Sequence, residues 1–354
     1  MRRVTVDGRL ARELGFVAVQ QADADDRGRA FSQLIAPVVP HDAFTLVGSD
    51  PAIGLGFGSF SFWHGFPTPL VKALVRHRHQ QGGPWHAGAV ARGAALTHVV
   101  TVGDPTLSPA DRLRAEVLAA HGALSELRLL LRDERGVWGM LALIRSTGGL
   151  PFDPDDARLA ALLAPALIVA VRRHVLAGPL LPAAPALPAG VITMGPDHRV
   201  RTVSPQAGAW LELFRARGRR VIPEWMPDVF LMALSLSTRS PEHRRNASAP
   251  LVCSPPAVCG RWIVCQGQTM GVGGDIALVI QAPVGDLVLP SFCAWYGITP
   301  RERDVVDALR TGAATQRIAH RLDLSVHTVN DHLKAVFRKT GADGRDELIA
   351  ALGH

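Results

Sequence analysis

Three short runs decide the fold of the chain's last part: Thr299-Pro-Arg-Glu302, Leu324-Ser-Val-His-Thr-Val-Asn-Asp-His-Leu333 and Phe337-Arg-Lys-Thr-Gly341. Thr299 and Glu302 form a capping box with Pro300 at the first helical position, and Val305, Val306 and Leu309 follow at helical spacing until Gly312. A second short helix carries Ile318, Ala319 and Leu322; Asp323-Leu324 links it to Ser325, an N-cap for a third helix that Gly341 ends. Short helix, tight turn and longer helix make a helix-turn-helix. On the third helix Val329, Leu333, Val336 and Phe337 share one face, and His327, Asn330, Asp331, Lys334 and Arg338 occupy the other. A solvated amphipathic helix shows the same periodicity. A helix lying in the major groove of double-stranded DNA, about 12 Å wide, would use that polar face to read it. Asn330 then pairs with adenine, Asp331 accepts from cytosine, Lys334 bonds guanine or a phosphate, and Arg338 and Lys339 contact phosphates.

The 354 residues around these runs suffice for two or three domains. Lys and Arg number 38 against 31 Asp and Glu, a net +7 that favours anionic partners such as nucleic acid. Arginine supplies nearly all of it, since Lys72, Lys334 and Lys339 are the only lysines, and the surplus is spread along the chain. No bilayer partner is expected: the longest apolar run that suits a helix, Leu159 to Val171, contains Pro165 and falls short of the roughly 18 residues a span needs. The start, Met1-Arg-Arg-Val-Thr-Val-Asp7, does not lead into the apolar region of a signal peptide, so a cytoplasmic protein is expected. The cysteines at 253, 259, 265 and 293 form no disulfide framework, which suits a reducing compartment.

Prolines at 179, 182, 185 and 188 repeat every third residue, the period of a polyproline II helix, so 177–190 reads as a semi-rigid linker. A second change comes near Pro290, which gives three units: 1–176, 191–289 and 290–354. In the first, Leu127 to Arg132 and Val137 to Arg145 are β-runs joined by the turn Asp133-Glu-Arg-Gly136. Ala43 to Val47 is an early strand, Ser108-Pro-Ala-Asp111 starts a helix, and Asp153-Pro-Asp-Asp156 starts a long one reaching about His174. In the second unit, Gly190 to Val203 reads as two strands around Gly195-Pro-Asp197, followed by a helix from Pro205 and β-runs over Pro256 to Gln268 and Ile276 to Gln281. The fold class is therefore α+β and multidomain, with two antiparallel-sheet units before an all-α one.

Three resemblances add to this. Ile298-Thr-Pro-Arg-Glu-Arg-Asp-Val-Val306, Arg317-Ile-Ala-His-Arg-Leu322 and the two runs ending at Leu333 and Gly341 closely resemble the LuxR-type (GerE-like) DNA-binding domain of bacterial transcription regulators. The resemblance implies base reading by Asn330, Asp331 and Lys334, phosphate contact by Thr328, and dimerisation through Leu348, Ile349 and Leu352 of a final helix. Where this chain has Asn330 the family often has Lys, which implies a different base preference. Leu131 to Gly139, with Pro151-Phe-Asp-Pro-Asp-Asp156, resembles a GAF domain, implying a ligand-holding or dimerising module. Gly190 to Ala207 and Gly260-Arg-Trp262 resemble a PAS-type fold.

Other chemistries find little support. Cys253, Cys259 and Cys265 lie further apart than the short-gap pairs of zinc sites, although a redox role stays open. His64, His77, His79 and His86 invite a metal or haem, but structural histidines explain them as well. Gly54-Leu-Gly-Phe-Gly58 lacks a dinucleotide fingerprint, there is no Walker lysine or nucleophile elbow, and the pattern of a phosphorelay receiver is missing. The chain is thus expected to be a homodimeric transcription regulator without catalytic residues, metal or cofactor, controlled by a small-molecule effector or a partner. The alternative is a constitutive dimer whose N-terminal part is only a scaffold.

Overall fold

The computed structural model describes residues 8–20, 22–52, 58–81, 95–216, 226–239, 251–271, 274–282 and 285–352. The first sheet comprises β1 (Ala43–Ser49), β2 (Gly58–His64), β3 (Thr97–Thr101), β4 (Ala123–Asp133) and β5 (Gly136–Ser146), antiparallel in the order β2-β1-β5-β4-β3. The turn after Asp133 forms as its sequence dictates, with Arg135 N–H donating to Asp133 Oδ1 at 2.8 Å and Gly136 at positive φ. Gly139 is required by proximity: a Cβ there would lie 2.0 Å from the Val47 carbonyl oxygen of the neighbouring strand.

Side chains alternate across this sheet. Phe44, Leu46, Leu127, Leu129, Leu141 and Leu143 pack against α1 (Gly8–Val19), α2 (Ala24–Ile35) and the long helix Pro154–Leu176. On the opposite face Ala43, Ala123 and Ile144 meet α3 (Thr68–Gln81) and α4 (Pro109–Ala119), the latter capped by Ser108. The long helix, α5, starts with the capping box Asp153–Asp156. Its 23 residues are long and apolar enough to cross a membrane by length and composition, yet 56% of its most apolar window is buried within this fold. Leu163, Leu167 and Val171 face the core.

The second sheet has β6 (Gly190–Met194), β7 (Val200–Val203), β8 (Leu251–Ser254), β9 (Ile263–Met270) and β10 (Asp275–Gln281) in the order β7-β6-β10-β9-β8, the same topology as the first. Ile192, Ile276, Leu278 and Ile280 form its core with Trp210 of α6 (Pro205–Ala216) and Leu231 and Leu234 of α7 (Met226–Thr238). One expected β-run differs: Pro256–Cys259 is a helical turn, α8, capped by left-handed Gly260, and the strand begins at Ile263. Pro256 lacks an N–H and has a fixed φ, both of which suit a helix start better than a sheet interior. Residues 177–189 have neither helix nor strand and are tied to this unit. Ala183 N–H donates to the Gly260 carbonyl at 2.7 Å, and Trp210 Nε1–H donates to the Pro188 carbonyl at 2.8 Å.

Helix α9 (Gly285–Tyr296) continues through position 290, with Pro290 inside it. Among the described residues, five α-helices follow the second sheet: α9, α10 (Pro300–Arg310), α11 (Thr315–Leu322), α12 (Val326–Thr340) and α13 (Arg345–Leu352). Trp295 of α9 stacks edge-on to Trp138 of β5 at 5.3 Å and lies 6.0 Å from Phe60 of β2. One hydrophobic cluster therefore runs from Leu14 in α1 to Leu352 in α13.

Candidate nucleic-acid interface

Helix α10 begins as the capping box requires. Glu302 N–H donates to Thr299 Oγ1, and Thr299 N–H donates to Glu302 Oε2 at 2.7 Å. The same oxygen accepts from Lys339 Nζ at 2.5 Å, pinning the end of α12 to the start of α10. Burial would raise the Glu302 carboxyl, but the bonds from Lys339 and Thr299 outweigh it and hold the group below its ordinary range. Lys339 is therefore held in an ion pair between α12 and α10.

Between α11 and α12 the chain turns at Asp323, left-handed at φ 52°, and Leu324 N–H donates to the Ala319 carbonyl at 2.9 Å. Aspartate tolerates this conformation better than most residues. Ser325 then caps α12, its Oγ accepting from Thr328 N–H at 3.0 Å. Val329, Leu333 and Val336 are buried, in one cluster with Val305, Val306 and Ile318.

The opposite face is exposed along its length. His327, Asn330, Asp331, Lys334 and Arg338 are all solvent-facing, and Thr328 is half-buried with its hydroxyl 2.8 Å from Ser325 Oγ. Asp331 sits between two neighbours, 3.3 Å from His327 Nε2 and 3.7 Å from Lys334 Nζ. Exposed pairs of this kind contribute about 0–1 kcal/mol, so they hold these side chains only weakly. From His327 to Arg338 the face runs about 16 Å at 1.5 Å per residue, enough to lie along a groove. Arg317, His320 and Arg321 of α11 are exposed as well. These were not singled out individually in the sequence, although three basic-type side chains on the polar face of a short amphipathic helix are a readable signal.

The final helix differs from its expected role. Leu348 and Leu352 are buried against α9 and α10, and only Ile349 keeps part of its surface. The apolar side matched to a dimerising helix is closed within the chain.

Among the described residues no three or more His, Cys, Asp or Glu side chains cluster as metal ligands. His77 sits near the Ala110 carbonyl, with Nε2 3.1 Å away; the side chain of His79, residue His86 and the run 54–57 of the glycine segment lie outside the described residues. All four cysteines are buried and none of them forms a disulfide. Burial pushes the Cys253 and Cys293 thiols up to about 12 and Cys265 higher still, so they are protonated and poorly nucleophilic. Cys259 lies on α8 rather than on a strand with Cys265.

Comparison with known proteins places these observations. Residues 297–352 match the GerE family, bacterial regulatory proteins of the luxR family. The monoamine regulon transcriptional regulator of Klebsiella aerogenes is 42% identical over 53 residues, 15% of this chain and 23% of that protein. An HTH-type transcriptional regulator of Mycobacterium tuberculosis is 42% identical over 55 residues, 16% of this chain and 6% of that protein. The match thus spans less than a quarter of either relative. The bacteriophytochrome RpBphP3 of R. palustris overlays on 78% of this chain and 62% of its own at a TM-score of 0.26 and 12% identity. Escherichia coli SdiA overlays on 46% of this chain and 81% of its own at a TM-score of 0.16 and 17% identity. Overlays this loose define no shared fold.

Proposed function

We propose that this chain is a sequence-specific DNA-binding transcription regulator that reads the major groove with α12. The observation that carries the reading is a helix-turn-helix whose third helix buries its apolar side and leaves His327, Asn330, Asp331, Lys334 and Arg338 outward. Asn330, Asp331 and Lys334 read bases, and His327, Thr328 and Arg338 set register on the backbone. Fragments selected from random DNA supply the operator. On it, Lys334→Ala is expected to weaken binding by about 1–3 kcal/mol, and Asn330→Ala to relax preference at one base position by a similar amount. Unchanged affinity and selectivity in both variants would reject this reading face.

The reading extends to a homodimer, because a two-fold pair sets two recognition helices about 34–36 Å apart. The surface that suits a second copy is the outer side of α1 and α5. Leu162, Val169 and Leu176 repeat every seven residues along α5, and Phe16 stands 62% exposed on the adjoining α1. Val169→Glu is expected to leave the chain folded but monomeric by light scattering and to lower operator affinity. A wild-type monomer, or a variant that stays dimeric, would count against it.

Control by a small molecule is the third part. The repeated β2-β1-β5-β4-β3 order favours the GAF-like and PAS-like assignments over an unrelated scaffold. Each sheet also borders a cavity: about 80 Å³ with apolar walls beside the second, and about 130 Å³ beside the first. Phe230 and Ser61 line both.

A further inference from the structure

The smaller cavity lies where the two sheets meet. Strand β2 is an edge of the first sheet and β8 an edge of the second, and Ser254 Oγ donates to the Ser59 carbonyl at 3.3 Å between them. Alternation along β2 turns Phe60 and Phe62 towards the large hydrophobic cluster and Ser59 and Ser61 the other way. Ser59, Ser61 and Ser254 make one rim of the cavity. Apart from the Cys265 thiol, the other described residues of the wall are apolar, among them Ile192, Val252, Leu278 and Ile280 of the sheet and Phe230 and Leu234 of α7. Trp63 Nε1–H donates to Ser61 Oγ at 2.7 Å. Ser59 is 7% exposed, and its buried hydroxyl has no hydrogen-bond partner among the described residues. A buried hydroxyl in that state carries a desolvation cost that nothing repays.

We propose that this cavity binds a small neutral molecule carrying an oxygen at one end, a ketone or alcohol of about four or five carbons. Its oxygen accepts from the Ser59 hydroxyl, and its carbons lie between the second sheet and Phe230 and Leu234. Size, charge and polarity agree. The volume is about 80 Å³, roughly half that of an engineered apolar cavity that holds benzene. An ion placed among these apolar side chains and serines would give up its hydration without a countercharge from the described wall, whereas a ketone or alcohol gives up far less. The Ser59 hydroxyl gains in the occupant the acceptor it lacks in the empty protein. Because β2 belongs to the first unit and α7 to the second, an occupant touches both. The inference rests on the ligand-control reading above and names the ligand class for this site.

The test uses the full chain with butanone, cyclopentanone and n-butanol, cyclopentane as the control without oxygen and butyrate as the charged control. Ligand-observed NMR is expected to show saturable binding of at least one oxygenated probe and none of butyrate. Ser59→Ala is expected to weaken that probe by about 3- to 10-fold, the value of one hydrogen bond between neutral groups, and to leave cyclopentane unchanged. The same variant is expected to raise the unfolding temperature of the ligand-free chain, because it removes the unpartnered hydroxyl; a hydroxyl with only a structural role would lower it. Cys265→Leu, which puts carbon into the cavity, is expected to weaken every probe by about 10-fold or more while the chain stays folded. Saturable binding of none of the three oxygenated probes, equal binding of butyrate, or an affinity that survives both variants overturns the proposal. Native mass spectrometry separates it from its premise: a co-purified charged or larger ligand beside inert probes sustains ligand control and overturns only this ligand class.

Discussion

Glu126→Ala is expected to destabilise the first unit by about 3–5 kcal/mol, the usual cost of stripping one partner from a buried ion pair. The carboxylate is 1% exposed and answers Arg114 twice and Arg128 once, so its removal strips the buried Arg114 guanidinium of its bidentate partner and Arg128 of one of its two carboxylates. The double change Glu126→Leu with Arg114→Met is expected to recover much of the loss, since an apolar pair of similar volume avoids desolvation. Burial pushes the Glu126 carboxyl up, and Arg114 and Arg128 more than offset it, bringing it down to about 2 from the ordinary 4.5. A carboxylate with a depressed folded pKa stabilises fully above the unfolded value and loses that contribution as pH falls through the folded one. Urea melts should therefore show wild-type stability declining between about pH 4.5 and 2 more steeply than that of the double variant. A Glu126→Ala protein within 1 kcal/mol of wild type at pH 7 would mean that the cluster is far better solvated than its burial indicates.

Trp295→Ala is the second large effect, also about 3–5 kcal/mol. The indole is fully buried and joins α9 to Trp138 and Phe60, an aromatic contact that adds to its area burial. Its loss should act on the seam between the helical tail and the first sheet. Helices α10 to α13 retain their own core of Val305, Val306, Ile318, Val329, Leu333 and Leu348 and the Lys339–Glu302 tie. Amide exchange is accordingly expected to quicken in α9 and around Gly297 while protection inside α12 persists. Uniform loss of protection through α12 would show that the tail has no independent stability.

What was legible in the sequence was local. Thr299, Ser325, Asp153 and Ser108 cap helices through bonds spanning three residues, and such bonds are written in adjacent letters. The two faces of α12 followed from helical period alone. What escaped depends on partners far along the chain. Helix α2 contains Gly28, a poor helix residue, because a Cβ there would lie 2.0 Å from the Trp63 carbonyl oxygen. Strand β4 reads as starting at Leu127 because Glu126 looks like a strand end, yet it extends back to Ala123 because Arg114 answers that charge. Lys339 sits on the outer side of α12 by period and is drawn aside by Glu302, 37 positions earlier.

Phe230 carries a further consequence. One ring forms part of the partition between two separate voids, so space it yields to one chamber is taken from the other. A bulkier or smaller side chain at this one position would therefore resize both hollows at once, so neither volume is set by its own sheet alone.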